Sequence, residues 1–407
     1  MSWLTSNPTR MMLGDLCHVV TKGTTPTSVG LEFADKGIPF LRIQNISKNS
    51  VHLDDVLFID QKAHEALKRS VVRSGDFLLT IAGTIGRIAI VPDEFPECNC
   101  NQAVAILRFD KLKLLPKYLL YWLQTEDAFR QISGKKVTAT ISNLSLGQIK
   151  SLHIPLPPLA EQKKIAAILD AADQLRQKDQ QLIDHYTSLS QSLFLEMFGD
   201  PVSNPMGWES ASISTLCTDV VDCVNKTAPL SSVETRYKMI RTTNVRNYRV
   251  DLSAVRYVEK ATFDKWTRRL VPKRGDVIFT REAPVGEAGV LESDDSVFLG
   301  QRIMEYRTNE NLLNPYYLLY ELMGSNIGRQ IQKLSAGSTV KHLSVPDCEK
   351  FLVNLPPIDL QEKFADNLHV IENQKQQAQV SLDNSEVLFN SLLQRAFKGE
   401  LTSSKAA

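Results

Sequence analysis

Cysteine is scarce, six in 407 residues, which is too few for a disulfide framework in a chain of this length. Cys98-Asn99-Cys100 is the one close pair, and no second pair or histidine cluster accompanies it at zinc-ligand spacing. Cys17 and Cys217 each follow an apolar residue, as small buried thiols do. The seven histidines are scattered and include no His-Glu-x-x-His. Excess charge is also missing: 47 Lys and Arg against 46 Asp and Glu leave a formal charge of +1. A globally basic chain is therefore excluded, and any anion-binding face must come from uneven distribution of charge. No apolar run approaches the roughly 18–20 residues that span a bilayer. The opening Met1-Ser2-Trp3-Leu4-Thr5 has no basic segment leading into an apolar core, so a cytoplasmic protein with no membrane partner is expected.

The usual enzyme signatures are absent as well. The chain holds no G-x-x-x-x-G-K-[ST], no G-x-G-x-x-G and no G-x-S-x-G. Gly83-Thr84-Ile85-Gly86 contains glycine, but its counterpart is Ala283-Pro284-Val285-Gly286, which reads as a tight turn rather than a phosphate cradle. Asn314-Pro315-Tyr316-Tyr317 superficially resembles the N-P-P-Y/F of amino-methyltransferases. It lacks the second proline, however, and its counterpart is Leu115-Pro116-Lys117-Tyr118, so helix initiation is the better account. Pro346-Asp347-Cys348-Glu349-Lys350 is too compressed for a nuclease carboxylate cluster. A binding protein is expected.

What is present is material for cores, with 43% hydrophobic and 23% charged residues, and an internal duplication. Ser74-Gly75-Asp76-Phe77-Leu78-Leu79-Thr80 matches Arg274-Gly275-Asp276-Val277-Ile278-Phe279-Thr280, 200 residues on. Phe40-Leu41-Arg42-Ile43-Gln44-Asn45 matches Met239-Ile240-Arg241-Thr242-Thr243-Asn244, and Leu156-Pro157-Pro158-Leu159 matches Leu355-Pro356-Pro357-Ile358, both 199 residues on. Landmarks in one order at nearly one spacing mean two copies of a half of about two hundred residues, far longer than a solenoid repeat.

Each half has two zones. The first, roughly 13–155 and 213–354, mixes short β-rich runs with turns. Phe77–Ile81 and Val277–Thr280 follow a Gly-Asp turn as strands do, and Pro116 and Pro315 open short helices. That predicts an α+β globule with a mixed sheet. The second zone is free of glycine and proline from Leu159 to Phe198, and again from Ile358 to Lys398. The pattern predicts two long helices, the first about 60 Å long at 1.5 Å per residue, packed antiparallel. Ile168, Leu175, Leu182 and Leu189 form one expected seam line, Ile165, Ala172, Tyr186 and Leu193 the other. Phe364, Ile371, Ala378 and Leu392, with Leu368, Leu382 and Phe389, supply the second helix. The surplus apolar residues Leu169, Leu195, Leu388 and Leu393 are expected to face a partner. Asp200–Pro205 reads as a linker.

Basic and amide residues recur at matching places. Residues 235–250 carry Arg236, Lys238, Arg241, Arg246 and Arg249 among Tyr237, Thr242, Thr243, Asn244 and Tyr248, with no acidic residue. The first copy has Arg42, Gln44, Asn45 and Lys48 there. Arginines suit phosphates or guanine edges and amides suit adenine, so the mixture fits duplex DNA; a solvated strand edge guarded by charge is the plain alternative. Lys68, Arg69 and Arg73, then Arg268, Arg269, Lys273 and Arg274, precede the Gly-Asp turns. A third polar loop holds Lys135, Lys136 and Thr138 in one copy, and Thr339, Lys341 and His342 in the other.

The repeated GDxxxT, the polar TAT or GST segment, and Ile154-Pro155-Leu156-Pro157-Pro158-Leu159-Ala160-Glu161-Gln162-Lys163-Lys164-Ile165 opening a long helix together resemble the specificity subunit of type I restriction-modification enzymes. Arg241–Val245, Thr280–Gly286 and Leu299-Gly300-Gln301-Arg302 carry the resemblance into the second half. In the second helix, Leu360-Gln361-Glu362-Lys363 stands where the first has Ala160-Glu161-Gln162-Lys163.

The resemblance implies two target-recognition domains, 1–155 and 201–354, separated by spacer helices at 156–200 and 355–407. Each domain would read half of a split, asymmetric target in double-stranded DNA. The partners implied are two modification subunits and restriction subunits, which bring S-adenosylmethionine, ATP and Mg; this chain would hold no cofactor. Candidate DNA-binding residues are then Arg42, Gln44, Asn45, Lys48, Thr80, Thr84, Arg87, Lys135, Lys136 and Thr138 in the first half, and Arg241, Thr242, Thr243, Asn244, Arg246, Arg281, Glu282, Arg302, Thr339, Lys341 and His342 in the second. For Arg281, base reading, a phosphate contact and an internal ion pair are the three alternatives. The rival readings are a DNA-targeting subunit, or a coiled-coil scaffold, of another phage-defence or methylation assembly.

Overall fold

A computed structural model describes residues 9–133, 143–334 and 342–401. The described residues fall into two compact units, one built from the chain up to Gln180 and from Val380 on, the other from Gln181–Gln379.

In the first unit the strands are β1 (Arg10–Met12), β2 (Cys17–Lys22), β3 (Ile38–Leu41), β4 (Leu57–Ile59), β5 (Val71–Val72), β6 (Phe77–Thr80), β7 (Ile88–Ile90), β8 (Cys98–Cys100), β9 (Val104–Phe109) and β10 (His153–Pro155). One antiparallel sheet has the order β2-β9-β6-β7. A second, mixed sheet has the order β4-β3-β8-β5, with β3 and β8 parallel. β9 reads Val-Ala-Ile-Leu-Arg-Phe and is buried on both faces except at Arg108, so its near-continuous apolar run is what two-sided packing requires. β1 pairs antiparallel with β10, which ties the beginning of the described chain to the segment that enters the long helix. Pro116 opens helix α1 (Pro116–Trp122), and Tyr118 Oη donates to the Pro155 carbonyl at 2.8 Å.

The second unit repeats the plan with β11 (Glu209–Ser212), β12 (Cys217–Asp222), β13 (Tyr237–Ile240), β14 (Val245–Arg246), β15 (Tyr248–Val250), β16 (Arg256–Tyr257), β17 (Val277–Thr280), β18 (Ala288–Val290), β19 (Ser296–Leu299), β20 (Ile303–Thr308) and β21 (Leu352–Leu355). β13 and β19 run parallel as β3 and β8 do, and β11 pairs with β21. The copies differ in the mixed sheet, which has three strands in the second unit, β16-β13-β19, and at one hairpin. In the first, Ile46–Ser47 and Ser50–Val51 pair only with each other; in the second, β15 pairs with β18 and the sheet grows to six strands, β12-β20-β17-β18-β15-β14.

The expected long helices are both present, α2 (Leu159–Phe198) and, after Pro315–Met323, the helix Ile358–Phe397, here α4 with Pro315–Met323 as α3. Gly199 and Gly399, both at φ +79°, follow them in the left-handed conformation that ends a helix without a Cβ clash. In the first unit, Ile165, Leu169 and Ala172 near the start of α2 share a core with Phe389, Leu393 and Ala396 near the end of α4. In the second unit, Phe194 and Phe198 near the end of α2 share a core with Phe364 and Leu368 near the start of α4. Start meets end in both, so the helices run antiparallel.

The expected seam needs correction. Leu175, Leu182 and Leu189 are 45%, 42% and 49% exposed, and Ile168 is only half-buried. The buried line is instead Ile165, Leu169, Ala172, Asp179, Ser190 and Phe194, against Leu368, Ala378, Leu382, Ser385 and Phe389. Leu169 and Leu393, expected on a partner face, are core residues, whereas Leu195 and Leu388 are exposed as expected.

Candidate nucleic-acid interface

The framework of each repeat rests on its Gly-Asp turn. Gly75 and Gly275 have φ of +76° and +94°, where a side chain would strain the backbone. The aspartates that follow are buried and grip an arginine of the neighbouring strand with both carboxylate oxygens. Arg108 donates to Asp76 at 2.6 and 2.7 Å, and Arg307 to Asp276 at 2.9 and 2.7 Å. The same carboxylates accept the amides of Arg73 and Lys273. Such a bidentate, charge-assisted pair fixes the β6–β9 and β17–β20 edges. Thr80 and Thr280 are fully buried, and each hydroxyl oxygen accepts the backbone amide that closes the next loop, Arg87 N at 2.9 Å and Glu287 N at 3.0 Å. Thr80 is therefore a frame residue.

A second frame element is the glutamine of the Pro-Pro helix entry. Gln162 is fully buried, accepts Leu115 N at 2.8 Å, and donates to the carbonyls of Lys113 and Pro157 at 2.9 and 3.0 Å. Gln361 does the same with Asn314 N, Leu312 and Pro356. This fixes the register between the two helix entries: Gln162 corresponds to Gln361, so Ala160-Glu161-Gln162-Lys163 aligns with Asp359-Leu360-Gln361-Glu362.

After β3 and β13 the chain makes a single helical turn, Ile43–Asn45 and Thr242–Asn244. Asn45 and Asn244 are buried, and their amides are consumed by backbone: Asn45 Oδ1 accepts Arg42 N and its Nδ2 donates to the Asp54 carbonyl, while Asn244 repeats this with Arg241 N and the Asp251 and Ala254 carbonyls. As DNA-reading candidates both are withdrawn. Their amides cap the turn because buried backbone groups would otherwise lack partners. The turn leaves Gln44, Lys48 and Thr243 exposed and Arg42, Arg241, Thr242 and Arg246 half-exposed. Arg42 is held by Asp55 at 3.2 Å, with Gln44 on the same carboxylate at 3.3 Å. Arg246 folds back onto the Thr242 and Val245 carbonyls.

The loop after β6 exposes Thr84 and Arg87; Arg87 reaches the Ile43 and Ile46 carbonyls at 3.4 Å. Its counterpart after β17 holds Arg281, whose side chain turns inward. That side chain is only 8% exposed and donates to the Leu343 carbonyl at 3.0 Å; its backbone amide donates to the Arg302 carbonyl and its own carbonyl accepts Leu343 N. No carboxylate pairs with it among the described residues, so the internal role is a backbone clamp rather than an ion pair. Glu282 instead pairs with Arg302 at 3.2 Å and with His342. Lys135, Lys136, Thr138, Thr339 and Lys341 lie outside the described residues.

Of the clusters before the Gly-Asp turns, Arg73 pairs with Glu97, Arg269 with Asp222 and Arg274 with Asp294. Sequence reading missed Lys226 and Arg256, which line one recess with Arg241 and Arg302. Neither sits in a basic run, so only the β13–β16 pairing, which puts Arg256 opposite Met239, brings them in. It also missed Glu305, a buried acid on β20 where the first repeat has Ile106. Burial, then the neighbouring Asp276, pushes its carboxyl up to about 9. Burial likewise lifts the Glu321 carboxyl to about 7.

The family model described as "Type I restriction modification DNA specificity domain" matches twice, at residues 8–184 and 207–381. A protein of Methanocaldococcus jannaschii carrying the name type I restriction enzyme MjaX specificity subunit is 25% identical over 382 residues, covering 89% of this chain and 86% of its own length. The EcoKI specificity subunit of Escherichia coli K12 is 22% identical over 397 residues, covering 90% and 83%. Among solved structures, the type I restriction-modification S subunit from M. genitalium aligns with a TM-score of 0.56 at 15% identity over 96% of both chains. A chain from a structural study of type I R-M complex assembly and conformational transition aligns with a TM-score of 0.53 at 20% identity, covering 97% and 98%. Two copies of one framework, each matched by the same family and together spanning most of the residues, place this chain in the family of type I restriction-modification DNA specificity subunits.

Proposed function

We propose that the chain selects the DNA sequence on which a type I restriction-modification assembly acts, by binding a bipartite, asymmetric duplex target. Residues 1–155 and 201–354 are the two target-recognition domains, and 156–200 and 355–407 are the spacers. The observation that carries this reading is the double family match over a duplicated framework whose frame residues repeat while the loop residues between them do not. Asp76, Thr80, Asn45 and Gln162 recur as Asp276, Thr280, Asn244 and Gln361; Gln44, Thr84 and Arg87 face Thr243, Pro284 and Glu287. A constant frame with differing exposed loops is what two domains of one fold need in order to read different bases. The residues retained for DNA contact are Arg42, Gln44, Lys48, Thr84, Arg87, Arg241, Thr242, Thr243, Arg246, Arg302 and His342, with Glu282 positioning Arg302, and Lys135, Lys136, Thr138, Thr339 and Lys341 of the third polar loops.

In this reading the chain performs no chemistry. Methyl transfer and S-adenosylmethionine belong to two modification subunits, and ATP and Mg to restriction subunits, in the cytoplasm. The exposed leucines of α2, Leu175, Leu182, Leu189 and Leu195, supply an apolar strip for the modification subunits; among the described residues no helix is long and apolar enough to cross a membrane. Sequencing methylated bases in cells with and without the gene tests the reading. A split motif that disappears with the gene supports it, and an unchanged methylome overturns it.

A further inference from the structure

The second repeat carries a cavity of about 210 Å³ beside the turn that follows β13. Four cations line it, Lys226, Arg241, Arg256 and Arg302, with Thr242 and Gln301 between them and no carboxylate in the wall. Among the described residues, Lys226, Arg241 and Arg256 have no ion pair, and Arg241 Nε is buried without a hydrogen-bond partner. Only Arg302 has a counter-charge, Glu282 at 3.2 Å. Unpaired guanidiniums gathered around a recess repel one another, and an anion would relieve that repulsion.

The recess is built, not incidental. A Cβ at Gly300 would stand 2.6 Å from the Ile240 carbonyl oxygen, so only glycine lets the Gly300 backbone lie this close to the strand end that leads into Arg241. Arg302 sits at φ +71°, a left-handed conformation uncommon outside glycine. Its carbonyl is anchored there by Arg281 N at 2.8 Å.

The first repeat lacks this arrangement, and backbone pairing identifies the corresponding positions. Arg256 pairs with Met239 as Leu57 pairs with Phe40, so the first repeat has leucine there. Arg302 O accepts Arg281 N as Ala103 O accepts Ile81 N, so it has alanine there. Arg42, the counterpart of Arg241, is neutralised by Asp55; the residue two before Arg256, as Asp55 is two before Leu57, is Ala254.

We propose that this cavity is a phosphate site, holding one backbone phosphate of the DNA bound by the second repeat, with no equivalent in the first. Planar guanidinium forks present paired N–H groups to phosphate oxygens, and the Thr242 hydroxyl and Gln301 amide add neutral donors. The inference rests on the DNA-binding reading above and adds an asymmetry: the second domain holds the backbone more firmly than the first.

The test uses the full chain and short duplexes of random sequence, with affinity measured across a range of salt. Arg256→Leu, which installs the residue of the first repeat, and Arg241→Gln are each expected to weaken binding to every sequence. Each should make the slope of log K against log salt shallower by about one. Arg256→Lys keeps the charge and should keep most of the slope; Lys226→Ala, at an exposed position, serves if either arginine variant does not fold. A wild-type slope in the leucine and glutamine variants overturns the proposal, as does a loss confined to particular sequences, which would mean base reading. Inorganic phosphate forms the other arm: Arg256-dependent phosphate binding alongside unaltered DNA affinity makes this a free-anion site and overturns the DNA assignment. Failure of the wild-type chain to bind any duplex is a separate result and removes the DNA-binding reading itself.

Discussion

At the scale of single residues, the side chains with the most chemistry are mostly consumed by the framework. Arg281 is the plainest case. A guanidinium in a variable loop of a DNA-binding chain invites a guanine contact, yet this one is buried against the Leu343 carbonyl. Arg281→Ala is therefore expected to cost about 1–3 kcal/mol in stability by leaving a buried carbonyl unpaired. Base preference should stay unchanged within the second half-site, and thermal melts with methylome sequencing check both. Glu305 makes a pH prediction. Its folded pKa, about 9, lies above the ordinary 4.5, so the folded state prefers the protonated acid. The stabilisation from this group is complete below pH 4.5, declines as pH rises, and is lost above about 9. The melting temperature of the second unit should fall across that window, and Glu305→Gln should flatten the fall while preserving the shape. A wild-type pH profile in the Gln variant would refute the assignment. Sequence reading had no signal for either residue, because burial is set by neighbours from distant strands.

At the scale of elements, the long helices were legible in their existence, length and ends, because two stretches of 40 residues without glycine or proline have few alternatives. Which face they bury was not legible. The heptad of Ile168, Leu175, Leu182 and Leu189 looks like a seam in isolation, but each helix must also satisfy its globule. Gln162 and Ile165 are committed inward, and that rotation turns the leucines outward. Two substitutions separate the faces. Phe389→Ala removes a ring that packs at a tilt beside Tyr121 and lies under the Arg176 guanidinium; it should cost about 3–5 kcal/mol. Leu182→Gln, on the exposed line, should change stability by roughly 0.5 kcal/mol or less. It should instead weaken capture of a modification subunit, measured by co-purification. An intact complex with Leu175, Leu182 and Leu189 all replaced by Gln would remove this strip from the interface.

At the scale of the whole molecule, the duplication predicts modularity. Replacing residues 13–155 with the same zone of a relative should change one half of the methylated motif and leave the other intact; change in both halves would mean joint reading. The sequence by itself determined the repeat, the α+β class, the helix lengths and, through the resemblance carried by its motifs, the family. These depend on order, spacing and periodicity, which a linear chain displays directly. Only the tertiary structure decided which of the recurring polar residues are frame and which are free. Asn45 and Thr80 look like binding residues in a string, yet each is buried and its polar groups are spent on backbone. Lys226, Arg241, Arg256 and Arg302 look unrelated in the string, yet sheet pairing gathers them around one recess. Solvent access and counter-charge are properties of neighbours in space, and strand pairing alone chooses those neighbours.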